Sequence, residues 1–247
     1  MISCAISDNP LVVINCAEER AQIVLGTRIQ LLFAEEIHCP GQSIVHLPTA
    51  IERGLRVVNI KVKNLAGIAC VRGPGSFTGL RIAHATMYGL ARPFALPMAG
   101  LEYPTLLAHQ ADPFFQKEIW VLTYARKKQI YMQGFVQGQP LGPITPLTVA
   151  QAMTILEKRT KSFYLVGSGI AKNHEFQALS KAHIFPQFLH TPHPQLLLNA
   201  ALAANFSTQP PVPLYLRKSD AEENLANIAH GRGIDPDHAR QHIFDFE

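Results

Sequence analysis

The stretch that most constrains this chain is Val71-Arg72-Gly73-Pro74-Gly75-Ser76-Phe77-Thr78-Gly79-Leu80-Arg81. An apolar run, Leu65 to Val71, leads into it and fits a buried strand. The run Ile82-Ala83-His84-Ala85-Thr86-Met87-Tyr88-Gly89-Leu90-Ala91 leaves it and fits a helix. Gly73, Pro74, Gly75 and Gly79 interrupt regular structure between the two. Ser76 or Thr78 can cap the helix by accepting a bond from its free N–H groups. A glycine turn of this kind lets backbone approach a neighbour closely, and the helix dipole favours an anion there. Arg72 and Arg81 add positive charge on either side. Two readings are open: a loop that holds phosphate or docks a partner, and a tight connection whose glycines serve packing. Three common motifs are excluded. No Gly-Lys-Ser/Thr follows the glycines, as a P-loop requires; the third glycine of the dinucleotide fingerprint is missing; and Ser76 is not framed as Gly-x-Ser-x-Gly.

The rest of the chain allows one large or two small domains in 247 residues. Apolar content of 47% and charged content of 16% argue against disorder over most of it. A net charge of +4 without a dense basic block gives little ground for nucleic-acid binding by this chain alone. Cys4, Cys16, Cys39 and Cys70 form no Cys-x-x-Cys pair, so buried, reduced thiols and a cytoplasmic location are expected. The first ten residues lack the basic region and apolar core of a signal peptide. No apolar run reaches the ~18–20 residues of a membrane span.

Three short strands open the chain: Leu11 to Cys16, Ala21 to Leu25, and Arg28 to Glu35. Tight turns between them predict an antiparallel meander. From Gln42 to Leu55 the period changes. Ile44, Leu47, Ile51 and Leu55 recur at three and four residues, which predicts a helix that starts between Ser43 and Leu47, with one apolar face and Pro48 in its first turn. Val57 to Lys63 reads as a β-like link. After the glycine turn and its helix, Ala95 to Leu101 reads as a strand, with Pro97 pointing to an edge or an irregular end. Residues 11–101 thus read β-β-β-α-β-α-β, the order of the actin-like ATPase and sugar-kinase superfold. The expected organisation is an α/β protein of two lobes, each a mixed sheet with flanking helices. Residues 1–104 form the first lobe, with 212–219 returning to it; 105–211 form a smaller second lobe; 220–247 form a helical appendage.

In the second lobe, Ile119 to Ala125 and Gln129 to Val136 predict a hairpin around Arg126-Lys127-Lys128, a solvated tip or an RNA contact. Gly138 to Pro146 reads as loop. Thr148 to Lys158 reads as a helix capped by Thr148, Ser162 to Val166 as a strand, and Ala171 to Lys181 and Leu196 to Asn205 as helices. Ser207 to Pro213 reads as a linker and Pro213 to Arg217 as a closing extended piece. Ser219-Asp220-Ala221-Glu222 is a capping-box pattern opening a last helix. His238 and His242 stand four apart and His190 and His193 three apart, and for both pairs solvated or loop positions are expected rather than metal. His84 reads as a core or interface histidine, and Glu18 and Glu19 as surface charge. The first strand carries Asn15 where an actin-like nucleotide site holds magnesium through aspartate, and an amide lacks the charge a hard cation wants.

At Gly73-Pro74-Gly75-Ser76-Phe77-Thr78-Gly79-Leu80-Arg81-Ile82 the sequence resembles the TsaB (YeaZ) family, the dimerisation subunit of the bacterial tRNA threonylcarbamoyladenosine synthase, whose hallmark stands here letter for letter. Leu11 to Ala17, Leu47-Pro48, Tyr124-Ala125-Arg126 with Ile130-Tyr131, Val166-Gly167-Ser168-Gly169 and Tyr215-Leu216-Arg217 are similar to further landmarks of that family. The resemblance implies an actin-like pseudo-enzyme that pairs with the catalytic TsaD-type subunit and is joined by the TsaE-type ATPase. The complex transfers a threonylcarbamoyl group to N6 of adenosine 37 of tRNA (t6A), with ATP and metal handled by the partner subunits and none bound here. It implies a lobe-to-lobe interface through Ile44, Leu47, Ile51, Thr78, Ile82, Ala85, Thr86 and Tyr88, which isolated chains would use to form homodimers. The partner's metal-binding His-x-x-x-His pair is represented here by His46 and Ala50. Three departures weaken any nucleotide or metal role for this subunit: Asn15 for aspartate, Gln42-Ser43 for His-Thr, and Tyr124 for aspartate. Two functions from different classes therefore stand: a non-catalytic scaffold, and an actin-like ATPase or kinase that uses Gly73–Gly79 as a phosphate cradle.

Overall fold

The computed structural model describes residues 9–111 and 117–217, with Ala229, His230 and Asp235. Leu11-Val12-Val13-Ile14-Asn15 is buried along its whole length, which a strand achieves only when both faces of its sheet are covered. This strand, β1 (Leu11–Asn15), pairs antiparallel with β2 (Arg20–Gly26), which pairs antiparallel with β3 (Leu31–His38). Helix α1 (Ser43–Val58) then leads to β4 (Gly67–Gly73), parallel to β1, and α2 (Phe77–Ala91) to β5 (Met98–Glu102), parallel to β4. The sheet order is β3-β2-β1-β4-β5. It carries the expected β-β-β-α-β-α-β order of the actin-like fold.

Side-chain alternation assigns the two faces. Val12, Ile14, Ile68 and Cys70 pack beneath Leu47, Ala50 and Ile51 of α1 and Ala83 and Met87 of α2. Leu11, Val13, Ala69 and Val71 face the other way, towards α3 (Tyr103–Ala111) and α6 (Pro194–Leu202).

The second sheet is built from β6 (Ile119–Arg126), β7 (Gln129–Val136), β8 (Gln139–Pro140), β9 (Thr145–Thr148), β10 (Phe163–Val166) and β11 (Ala182–Ile184). Its order is β11-β10-β6-β7-β8, with β9 also on β7. Helices α4 (Val149–Glu157) and α5 (Ser168–Lys172) cover the face that carries Trp120, Leu122, Ile130 and Met132. Its other face, through Ile119, Val121 and Phe135, shares one core with α3, α6 and the first sheet. Both sheets accordingly lie in one compact unit that ends at Leu214, and a second begins at Tyr215.

Several expectations from sequence need correction. Pro48 sits in the second turn of α1, not the first, because the helix already begins at Ser43. Val57 to Lys63 is not β-like: α1 runs to Val58, Asn59 ends it in the left-handed conformation, and Val62–Asn64 form a 3-10 turn. The third strand begins at Leu31. A helix, α3, follows β5 directly, and Tyr103-Pro104 open it. The span from Gly138 to Pro146 contains two short strands that pair with β7. Ala171 to Lys181 is broken into α5, a 3-10 turn and the lead into β11, since Asn173 adopts an extended conformation. Helix α6 follows the second sheet in sequence yet packs on β1 and β2 of the first. Beyond it, Ser207 bridges Met98, and the Leu214 amide donates to the Arg72 carbonyl at 2.7 Å. The capping-box helix, His238 and His242 lie outside the described residues.

Candidate functional site

The glycine turn is occupied by the protein's own backbone. The Ser76 amide donates to the Ala17 carbonyl at 2.6 Å. A Cβ placed on Gly75 would lie 2.1 Å from the Ala17 oxygen, and one on Gly79 would lie 2.1 Å from the Cys16 oxygen. These glycines are therefore needed so that the turn can press against the end of β1. Ser76, not Thr78, is the N-cap, accepting from the Gly79 amide at 3.2 Å. Gly73 leaves β4 at φ +112°, a conformation that side chains disfavour, and Pro74 is buried behind it. The side of the turn on which Gly75 and Gly79 lack a side chain is thus taken by backbone carbonyl oxygens of Cys16 and Ala17.

The two arginines flanking the turn are engaged. Arg72 pairs with Glu102 at 3.0 Å. The Arg81 guanidinium lies 3.9 Å from the centre of the Phe77 ring. His84 is buried, with Nδ1–H donating to the Leu80 carbonyl at 2.8 Å, and burial lowers its pKa. It is a core histidine, one of the two places expected for it.

At the end of β1, Asn15 donates through Nδ2 to Gln22 Oε1 at 2.6 Å, and its Oδ1 accepts from the Ala17 amide at 3.0 Å. Gln22 in turn donates to Glu36 at 3.0 Å and to the Pro192 carbonyl at 2.7 Å. Both ends of the Asn15 amide are thus used inside the protein, so this set of residues does not fit a magnesium-nucleotide site. Among the described residues no cluster of three or more histidine, cysteine, aspartate or glutamate side chains could hold a metal. His190 donates through Nε2 to the Phe185 carbonyl at 2.9 Å, and His193 caps α6, its Nδ1 accepting from the Gln195 amide at 3.2 Å.

Sequence reasoning missed Glu18, expected as surface charge. Its carboxylate accepts from Tyr103 at 3.1 Å and, on the other oxygen, from the Ser168 hydroxyl at the start of α5. Lys172 and Glu19 pair beside it at 2.9 Å. Burial pushes the Glu18 carboxyl up to about 7, against the two hydroxyl donors that lower it. Glu18 and Glu19 therefore tie the β1–β2 turn of the first sheet to α5 of the second. The second sheet repeats the glycine device. A Cβ on Gly167 would lie 2.3 Å from the Leu122 oxygen, so Gly167-Ser168-Gly169 presses on β6 as Gly75 and Gly79 press on β1. The signal available in sequence was a carboxylate directly after an apolar strand.

The eight residues expected at an interface divide into two groups. Leu47 and Ile51 are 0% and 3% exposed and belong to the core beneath α1, so they touch no partner: their period marks the face that meets the sheet. Ile44 is 64% exposed, as is Val45, which the sequence did not single out. On α2, Thr78, Ala85 and Tyr88 are exposed and Ile82 and Thr86 half-buried. Helices α1 and α2 pack side by side on one face of the sheet, so these residues belong to one helical layer.

A family model described as TsaD: tRNA N6-adenosine threonylcarbamoyltransferase matches residues 41–225. The chain belongs to this family. The match runs from the approach to α1 through the glycine turn and the whole second sheet. Among its relatives is the tRNA threonylcarbamoyladenosine biosynthesis protein TsaB of Buchnera aphidicola subsp. Schizaphis graminum (strain Sg), 25% identical over 149 residues, which are 58% of this chain and 71% of that protein. The protein of the same name from Buchnera aphidicola subsp. Acyrthosiphon pisum (strain APS) is 24% identical over 102 residues, 41% of this chain and 46% of that protein. YeaZ from Pseudomonas aeruginosa has the same fold, with a TM-score of 0.67 and 20% identity over 84% of this chain and 100% of that one. Within that family the chain is similar in sequence to the TsaB proteins and in fold to YeaZ. No described helix is long and apolar enough to cross a membrane.

Proposed function

We propose that this chain serves tRNA threonylcarbamoyladenosine biosynthesis as a non-catalytic scaffold that pairs with the catalytic TsaD-type subunit. The coarser part, a role in t6A biosynthesis, rests on the TsaB relatives. The finer part rests on one observation: α1 and α2 expose Ile44, Val45 and Tyr88 in the layer that also carries Ala85. Apolar side chains grouped on one surface favour a covering partner. The closed glycine turn and the internally bonded Asn15 support a subunit that leaves ATP and metal to its partners, the TsaE-type ATPase among them. The alternative, an actin-like ATPase or kinase, needs an open phosphate cradle and an acidic metal ligand at these same positions.

Size-exclusion chromatography with light scattering, on this chain mixed with its cognate TsaD-type subunit, tests the proposal. A heterodimer peak is the expected result. Separate peaks, or ATP turnover by the pure chain that is lost on replacing Gly75, would count against the scaffold.

A further inference from the structure

The positive charge of this chain is unevenly placed. Residues 117–214 hold nine lysines and arginines against three glutamates and no aspartate, whereas residues 9–111 hold nine against six. Five of the nine cations meet at one end of the second sheet. Strands β6, β10 and β11 are adjacent and parallel, so all three start at the same end. Lys117 stands just before β6, Lys161 just before β10, and Lys181 just before β11. Neighbouring strands are about 4.8 Å apart, so these three lysine positions cross roughly 10 Å of the sheet end. Lys158 and Arg159, at the end of α4, join them, because the Lys181 ammonium donates to the Arg159 carbonyl at 3.0 Å.

Among the described residues, the two acids at this end, Glu118 and the exposed Glu157 at the end of α4, are outnumbered by the five cations. Glu118 is held by Arg159 and by Trp120 Nε1 at 3.1 Å, which leaves the three strand-leading lysines without it. Lys117, Lys158, Lys161 and Lys181 are exposed. The Lys117 ammonium lies 5.9 Å from the centre of the half-buried Tyr164 ring, which stacks on the buried Phe185 at 4.8 Å and is 5.3 Å from the exposed His183 ring. A basic row beside aromatic rings matches a polyphosphate backbone with unstacked bases better than it matches an acidic protein helix.

We propose that this end of the second sheet is an RNA-contacting surface, which engages the phosphate backbone through Lys117, Lys161 and Lys181. The surface lies on the second sheet and shares no residue with α1 and α2. That the RNA is a tRNA rests on the function proposed above.

The test measures binding of a labelled tRNA transcript by this chain paired with its TsaD-type subunit, and by this chain alone, over a series of salt concentrations. The combined variant Lys117→Gln, Lys161→Gln and Lys181→Gln is expected to bind on the order of tenfold more weakly, with a salt slope smaller by about 3. The matching Lys→Arg variant is expected to bind as the parent does. A control variant with Arg28→Gln, Lys61→Gln and Lys63→Gln removes equal charge from the first lobe and is expected to leave the affinity nearly unchanged. Parent-like RNA binding by the Gln variant, equal losses in both triple variants, or no RNA binding by the parent would each overturn the proposal. Light scattering on the same samples reads pairing separately. Intact pairing with no effect of the lysines sinks the RNA surface alone, and absent pairing with a clear lysine effect sinks the scaffold alone.

Discussion

The Ser76 amide donates to the Ala17 carbonyl at 2.6 Å, so the turn after β4 is seated on the turn after β1. This contact accounts for the glycines on either side of Ser76. Gly75 and Gly79 are where the two backbones meet, and the Cys16 and Ala17 oxygens occupy the volume that a side chain would need.

Replacing Gly75 by alanine is therefore expected to destabilise the protein by about 1–3 kcal/mol, since the clash is with backbone that cannot swing aside. Urea unfolding of the two proteins checks this. An unchanged midpoint would mean that the turn is not seated on Ala17.

Glu18 predicts a pH dependence. Its folded pKa of about 7 lies above the ordinary 4.5, so between these values the folded state binds more protons than the unfolded one. Its contribution is fully present below about 4.5 and is lost as pH rises through about 7. Glu18→Gln keeps an acceptor oxygen for one of the Tyr103 and Ser168 hydroxyls, offers Nε2–H to the oxygen of the other, and carries no charge to desolvate. It should match the parent near pH 5 and exceed it in stability at pH 8, measured as urea midpoints at the two values. A variant weaker than the parent at pH 8 would show that the ionised carboxylate is the preferred state.

Leu47 and Ala85 separate the core from the proposed interface. Leu47→Ala opens a cavity beneath α1 and should cost about 2–5 kcal/mol of stability. Ala85→Glu lies on exposed helix and should alter stability by less than about 0.5 kcal/mol while weakening pairing with the TsaD-type subunit. Thermal unfolding and light scattering on both variants read the two effects. Retained pairing in Ala85→Glu would move the interface elsewhere.

Asn15→Asp would set a carboxylate oxygen against Gln22 Oε1 in a buried site. Turning the Gln22 amide around would take its donors from Glu36 and the Pro192 carbonyl. A loss of about 1–3 kcal/mol at neutral pH is expected. Thermal unfolding at pH 7 with and without magnesium checks it, and a stability gain with magnesium would revive a metal role for this strand end.

The sequence by itself determined the local architecture. Unbroken apolar runs marked β1 and β4, period marked α1 and α2, and four Gly or Pro residues marked the turn between β4 and α2. The ten residues from Gly73 to Ile82 were enough to point to the family. These signals are local because they depend on backbone preference and on repeated burial along one segment. Only the tertiary structure decided what lies opposite each segment. The apolar period of α1 has the same form whether a sheet or a partner covers it, so Leu47 and Ile51 could be assigned to the core only once the sheet was in place. The glycine turn reads alike whatever lies against it, and only the fold brings the Ala17 oxygen, 58 residues before Gly75, to that place. Glu18 meets Ser168 150 residues along the chain, and Lys117, Lys161 and Lys181 become neighbours through parallel strand pairing. Contacts this far apart in sequence leave no trace in composition or period.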